Sequence, residues 1–99
     1  MSNEPFDFAK VDALRRHMLL TVESMVTVLG TTRVSYYNWL KGGIKRKKTT
    51  EHVRKIVRSL VACVSQHNWP YDAVYVASQP ERLIMLQDLL ITLDKEPAN

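Results

Sequence analysis

Cysteine is almost missing from this chain. Cys63 is the only one in 99 residues, so no intrachain disulfide and no cysteine-pair zinc site can form. His17, His52 and His67 share no ligand-like spacing with one another or with Cys63, and no metal site is expected. No apolar run approaches the ~20 residues that a bilayer span needs, and no charged-then-apolar leader opens the chain. A soluble, intracellular protein without membrane association is the expectation. Glycine is confined to positions 30, 42 and 43, which leaves no glycine-rich phosphate cradle. Nucleophile–base pairs and paired carboxylates are missing too, so no enzyme activity and no cofactor are expected.

Acid is also scarce, but only in the middle. Residues 33–69 hold nine Lys/Arg against Glu51 alone, a net of +8, whereas residues 1–32 come to −1 and residues 70–99 to −3. Charge of one sign gathered in one segment is expected when one face of a protein meets a polyanion. Leu, Ile, Val, Met and aromatics recur along the whole length, and 99 residues make one domain with a modest core.

Helical punctuation is dense. Asp7 caps a first helix over about Phe8 to Met18, in which Val11, Leu14 and Met18 form an apolar stripe and Phe6 is placed to staple onto Val11. Thr21 caps a second, with Glu23 in its first turn, and Gly30 ends it in a left-handed conformation. Thr32 caps a third immediately afterwards, which Gly42-Gly43 terminates. Residues 44–48, IKRKK, then read as a basic loop, with Thr49 or Thr50 capping a long fourth helix. In that helix Val53, Ile56, Val57, Leu60, Val61 and Val64 share one stripe, with Arg54, Lys55 and Arg58 opposite and Cys63 near the stripe's edge as a packed, inert thiol.

Trp69-Pro70 closes the fourth helix, and residues 71–77 fit either a short strand or one helical turn. Ser78 and Glu81 have capping-box spacing, opening a last helix through about Leu93, followed by a frayed tail over residues 94–99. That helix holds Leu83, Ile84, Met85, Leu86, Leu89, Leu90, Ile91 and Leu93, more than one stripe can carry. The expected fold is all-α, a compact bundle of about five helices. Residues 1–66 form its core, and residues 67–99 are a C-terminal extension of the same domain.

Two short helices joined by a Gly-containing turn of about three residues make a helix-turn-helix signature. The stretch LTVESMVTVLGTTRVSYYNWLKGG, residues 20–43, resembles the lambda-repressor-like, Cro/XRE-type helix-turn-helix family. Leu20, Thr21, Glu23, Met25, Leu29, Gly30, Thr32, Arg33, Tyr36, Trp39 and Gly42 fit its pattern without a gap. Val22 departs from it, standing where the family often has a phosphate-contacting Gln, and so does Val26, where a small residue is usual. With RVSYYNWLKG and HNWP, the layout also resembles small helix-turn-helix proteins of tailed phages. The resemblance implies a cytoplasmic, nucleoid-associated protein of a bacterial cell or phage-infected host.

The function implied is that of a sequence-specific regulator of transcription, a repressor, that binds double-stranded DNA as a homodimer. With Thr32 as cap, Tyr36 and Trp39 turn inward, while Arg33, Val34, Tyr37 and Asn38 project outward as base-reading residues. Arg and Asn can each make paired hydrogen bonds to a base edge, and Val can meet a thymine methyl. Phosphate contacts fall to Thr21, Thr32, Ser35, Lys41, Lys45, Arg46, Lys47 and Lys48, the bland alternative for Lys45 to Lys48 being a solvated loop. Leu83, Ile84, Leu86, Leu90, Ile91 and Leu93 are the expected dimer seam, unless the last helix is sandwiched within the monomer. The competing function is a protein-binding module, host-takeover or antitoxin-like, that engages a heterologous partner through that helix.

Overall fold

The structure is a computed structural model that describes residues 6–95. Six helices follow in order: α1 (Phe8–His17), α2 (Val22–Leu29), α3 (Arg33–Gly42), α4 (Lys47–His67), α5 (Asp72–Tyr75) and α6 (Gln79–Lys95). Among the described residues there is no strand, and no helix is long and apolar enough to cross a membrane. The expected tail lies mostly outside the described residues, α6 itself continuing to Lys95.

The first three helices begin and end where side-chain chemistry places them. Asp7 accepts from the Ala9 N–H at 3.0 Å, Thr21 from Ser24 at 3.1 Å and Thr32 from Ser35 at 3.1 Å, each satisfying a donor that the first turn leaves free. Gly30 takes φ 70° and ends α2, and Gly43 takes φ 78° beyond α3, conformations that side chains with a Cβ resist.

The fourth helix departs from expectation at both ends. It starts at Lys47, with Arg46 in the cap position and no side-chain cap. Thr50 lies inside the first turn, its hydroxyl donating back to the Arg46 carbonyl at 3.0 Å, so it caps nothing. Lys47 and Lys48 are therefore helical, and the basic loop ends at Arg46. At the far end Asn68, not Trp69-Pro70, closes α4, adopting φ 57° and donating its N–H to the Cys63 carbonyl. Asn tolerates that left-handed conformation better than most residues. Residues 72–75 form one helical turn, and the Ser78–Glu81 capping box forms, with Ser78 N–H to Glu81 Oε1 at 2.8 Å and Glu81 N–H to Ser78 Oγ at 3.3 Å.

Phe8, Val11 and Met18 of the first segment, Met25 and Leu29 of α2, Tyr36 of α3, Val53, Leu60 and Cys63 of α4, then Trp69, Val74 and Leu86, make one continuous core. Val61 is half-exposed and lies outside the stripe that its spacing suggested. Burial pushes the Cys63 thiol up to about 11, so it remains a neutral thiol near pH 7.

The last helix corrects the expected seam. Leu86 is 0% exposed, and Leu90 and Leu93 pack against the core beside Met85 and Leu89, where α6 meets α4 and α2. A wholly buried side chain cannot face a second molecule, so Leu86 is removed from the interface set; Leu90 and Leu93 are half-buried, and Leu90 also lines a surface pocket with Val28, Ile56 and Ile91. Leu83 is half-buried beside Thr21, Thr27 and Gln79. Ile84 and Ile91 are 58% and 54% exposed. Leu86→Ala should destabilise the protein by about 2–5 kcal/mol, as loss of a fully buried leucine does. Ile84→Ala should stay within about 0.5 kcal/mol of the parent in the same urea melts.

Candidate nucleic-acid interface

A single buried side chain sets the orientation of α3. Tyr36 is wholly buried, its ring meeting Phe8 edge-on at 4.9 Å, and its hydroxyl donates to Asp12 Oδ1 at 2.6 Å. Arg15 donates from Nε to the same Asp12 oxygen at 2.8 Å and from Nη1 to the Leu20 carbonyl at 2.9 Å. One network thus ties α3 to α1 and to the turn before α2. The Arg15 hydrogen bond, helped by the Tyr36 hydroxyl against the opposing effect of burial, holds the Asp12 carboxyl below its ordinary value of 3.8. Burial first, and then the neighbouring carboxylate, push the Tyr36 phenol far above its ordinary range, so it stays a donor. Trp39 is half-buried, edge-on to Phe8 at 5.4 Å.

With Tyr36 turned inward, Arg33, Val34, Tyr37, Asn38 and Lys41 are all exposed. At 3.6 residues per turn they occupy an arc of about 140°. Val34 is 71% exposed and Tyr37 45%, the latter leaning edge-on against Tyr36 at 5.9 Å. Arg33 is not entirely free, since its Nη1 pairs with Glu23 of α2 at 3.3 Å, both groups being largely exposed. An exposed pair of this kind is worth about 0–1 kcal/mol and exchanges readily for another partner.

The residues expected at phosphates divide into two sets. Ser35, Lys45, Arg46 and Thr49 line one open depression with Trp39 and Ile44, between α3 and the start of α4. Lys45 Nζ donates to the Gly42 carbonyl at 3.1 Å, where it complements the negative end of α3. Arg46, Lys47 and Lys48 are exposed, and Thr32 keeps a hydroxyl proton to donate while its oxygen caps α3. Thr21 belongs elsewhere. Its backbone N–H already donates to Gln79 Oε1 at 3.3 Å, and the exposed Glu23 carboxylate stands two residues on. A donor already satisfied beside a carboxylate is a poor anion site, so Thr21 is withdrawn from the phosphate set.

That Gln79 contact belongs to a cluster that sequence inspection missed. Trp69 Nε1 donates to the Met18 carbonyl at 2.9 Å, and Gln79 Nε2 and Arg82 Nη1 both donate to the Leu19 carbonyl, at 2.9 and 3.2 Å. Arg82 also reaches the carbonyls of Val74 and Tyr75, at 2.8 and 3.1 Å. The C-terminal segment therefore braces the entrance to α2. Partners 51 to 63 residues apart leave no local periodicity to read, and the only hint was a Trp, a Gln and an Arg next to otherwise apolar runs.

No known protein family, curated protein or solved structure matches this chain. Chemically, the exposed arc of α3 offers a guanidinium, a carboxamide, an apolar contact, a phenol and an ammonium on one convex surface, with more cations at its C-terminal end.

The Asp12 network generates a pH dependence with a definite sign. A carboxylate held below its ordinary value contributes stability that is complete above 3.8 and is lost as pH falls through the lower folded-state value. Asp12→Asn should cost about 1.5–3 kcal/mol at neutral pH, the range for a hydrogen bond to a charged group. It should also flatten the acid limb of a stability–pH profile from urea melts. An acid limb as steep as the parent's would assign that limb to other carboxylates.

Proposed function

We propose that this protein is a sequence-specific regulator that binds double-stranded DNA, with α3 lying in the major groove and two copies acting together. On this reading α2, the turn over Gly30 to Thr32 and α3 are a helix-turn-helix of the lambda-repressor-like kind. The observation that carries it is the division of α3: Tyr36 and Trp39 anchor one side, and Arg33, Val34, Tyr37 and Asn38 stand open on the other. A major groove about 12 Å wide admits a helix presented in this way. Arg33 suits guanine O6 and N7, Asn38 suits adenine N6 and N7, and Val34 suits a thymine methyl. Lys41, Lys45, Arg46, Lys47 and Lys48, with the Thr32 and Ser35 hydroxyls, flank the arc as phosphate contacts that set position without choosing sequence. Repression by occupancy of the site is the action proposed.

Arg33→Ala and Asn38→Ala should each relax base preference at one position of the half-site by about 1–3 kcal/mol. Melting temperatures should hardly move, because both side chains are exposed. Selection of bound sequences from a random duplex pool, repeated with each variant, is the measurement. Identical preferences in parent and variants would remove α3 as the reading element.

Pairing of two copies is proposed through the outer face of α6. Exposed Ile84 and Ile91 lie two turns apart, and Ala73, Val76, Ala77, Ile84 and Met85 line a common groove together with Glu81. The molecule measures 36 and 33 Å along its two longer axes, a size that lets adjacent copies set their α3 helices about one helical turn, ~34 Å, apart. Ile84→Glu with Ile91→Glu should convert a dimer to a monomer in sedimentation at micromolar concentration, with operator affinity reduced to that of a single half-site. A parent that sediments as a monomer both free and on DNA would defeat the dimer and favour a heterologous protein partner for this face.

A further inference from the structure

We infer that the outward face of α4 carries the phosphate contacts at Lys47 and Lys48 onward through Arg54, Lys55 and Arg58, as a sequence-independent docking surface for the phosphate backbone of duplex DNA that is distinct from the base-reading arc of α3. The inference rests on the reading of this protein as DNA-binding, and its test separates the two surfaces. Lys47, Lys48, Arg54, Lys55 and Arg58 are all exposed. At 3.6 residues per turn they fall within an arc of about 120°, and at 1.5 Å per residue the ridge from Lys47 to Arg58 is about 16 Å long. That length matches about five base pairs of duplex, at 3.4 Å per step along each strand.

Two features distinguish this ridge from an ordinary solvated helix face. The first is the lack of compensation. Among the described residues, ion pairs within 4.0 Å form only between Asp12 and Arg15 or Arg16 and between Glu23 and Arg33, none of them on α4. Glu51, the one acid on the ridge, pairs with no described cation although Lys47 and Lys55 stand four residues to either side. A face kept polar for solubility mixes its signs.

The second feature is that the ridge weakens the helix carrying it. Lys47 and Lys48 occupy the first turn, where the helix dipole favours acid, and the cap position supplies no side-chain bond. Arg54 and Arg58, four apart, repel one another, as do Lys55 and Arg58, three apart. Like charges repeated at these spacings, offset only in part by Glu51 four residues from Lys47 and Lys55, point to a functional surface. A polyanion laid along the ridge relieves every one of these repulsions. Arg54 is also oriented, its guanidinium carbon lying 5.0 Å from the centre of the Phe6 ring. Phe6 adjoins Phe8, which meets Trp39 edge-on, so the ridge is joined to α3 by a run of tilted aromatic contacts.

The test uses the full chain and a random-sequence duplex of about 30 base pairs, with binding measured across a salt series. R54Q/K55Q/R58Q should lower affinity for every sequence and reduce the slope of log K against log salt by roughly two to three, at about 0.9 for each phosphate no longer neutralised. R54K/R58K should keep the slope, because the phosphate contact needs charge and not the guanidinium fork. E51K should raise affinity and steepen the slope by about 0.9, a gain that no misfolded variant can mimic. Equal slopes for parent, triple variant and E51K would show a solvated face and overturn the proposal, leaving α3 untouched. A parent without base preference whose slope still falls in the triple variant would instead support the ridge and overturn the α3 reading. Failure of the parent to bind any duplex would overturn both.

Discussion

The hydrogen bond from Tyr36 to Asp12 is the contact on which the arrangement of the first three helices depends. Tyr36 is the one fully buried side chain of α3, and Asp12 is the point where α1 receives it. A phenol buried without a partner would cost several kcal/mol. Here it has a carboxylate, and the carboxylate has Arg15. Arg15 in turn spends its remaining reach on the Leu20 carbonyl, at the doorstep of α2. A ten-residue helix packed along one narrow side has few ways to hold its rotation about its own axis. A directional bond at its centre supplies what apolar contact alone does not.

The turn before α2 is the second fixed point. Leu19 adopts φ 64°, a left-handed conformation that disfavours leucine by about 1–3 kcal/mol. Its carbonyl receives both Gln79 and Arg82, while the carbonyls on either side receive Trp69 and Arg15. Three consecutive carbonyls satisfied by four side chains from three parts of the chain hold the backbone in that shape. The C-terminal segment is therefore structural for the helices that precede it.

Local signals were legible wherever a helix end is settled by its own neighbours. Asp7, Thr21 and Thr32 cap as their residue types predict, Gly30 ends α2, and Ser78 with Glu81 opens α6. The start of α4 escapes such reading because the helix begins at Lys47, leaving Thr49 and Thr50, good caps by type, inside its first turn, with the Thr50 hydroxyl donating to the Arg46 carbonyl. In α6 the difficulty is different. Apolar residues surround most of that helix, so its spacing alone does not say whether Leu86 or Ile84 meets the core. Packing against α4 and α2 decides it, as packing decides against Val61 in α4. Of the candidate site, the outward arc from Arg33 to Lys41 could be read from the cap and the period. The brace made by Trp69, Gln79 and Arg82 could not, because its partners are tertiary.

Anchoring and exposure are carried by different residues, and this separation bears directly on the proposed mode of action. Asp12, Arg15, Tyr36, Trp69, Gln79 and Arg82 spend their polar groups inside the molecule, and among the described residues no buried side-chain nitrogen or oxygen lacks a partner. The cations from Lys41 to Arg58 are unengaged by described acids, with Lys45 bonded to a carbonyl and Arg54 resting on a ring. On the proposed reading, a duplex could approach α3 and the ridge without breaking any interaction that holds the fold. The exception is the exposed pair of Arg33 with Glu23, and that pair is weak. On the proposed reading, Glu23 would hold Arg33 out along α2 until a base edge took its place. Under that proposal docking would be close to rigid-body, because the elements presented to a duplex are already ordered by contacts that binding would leave alone.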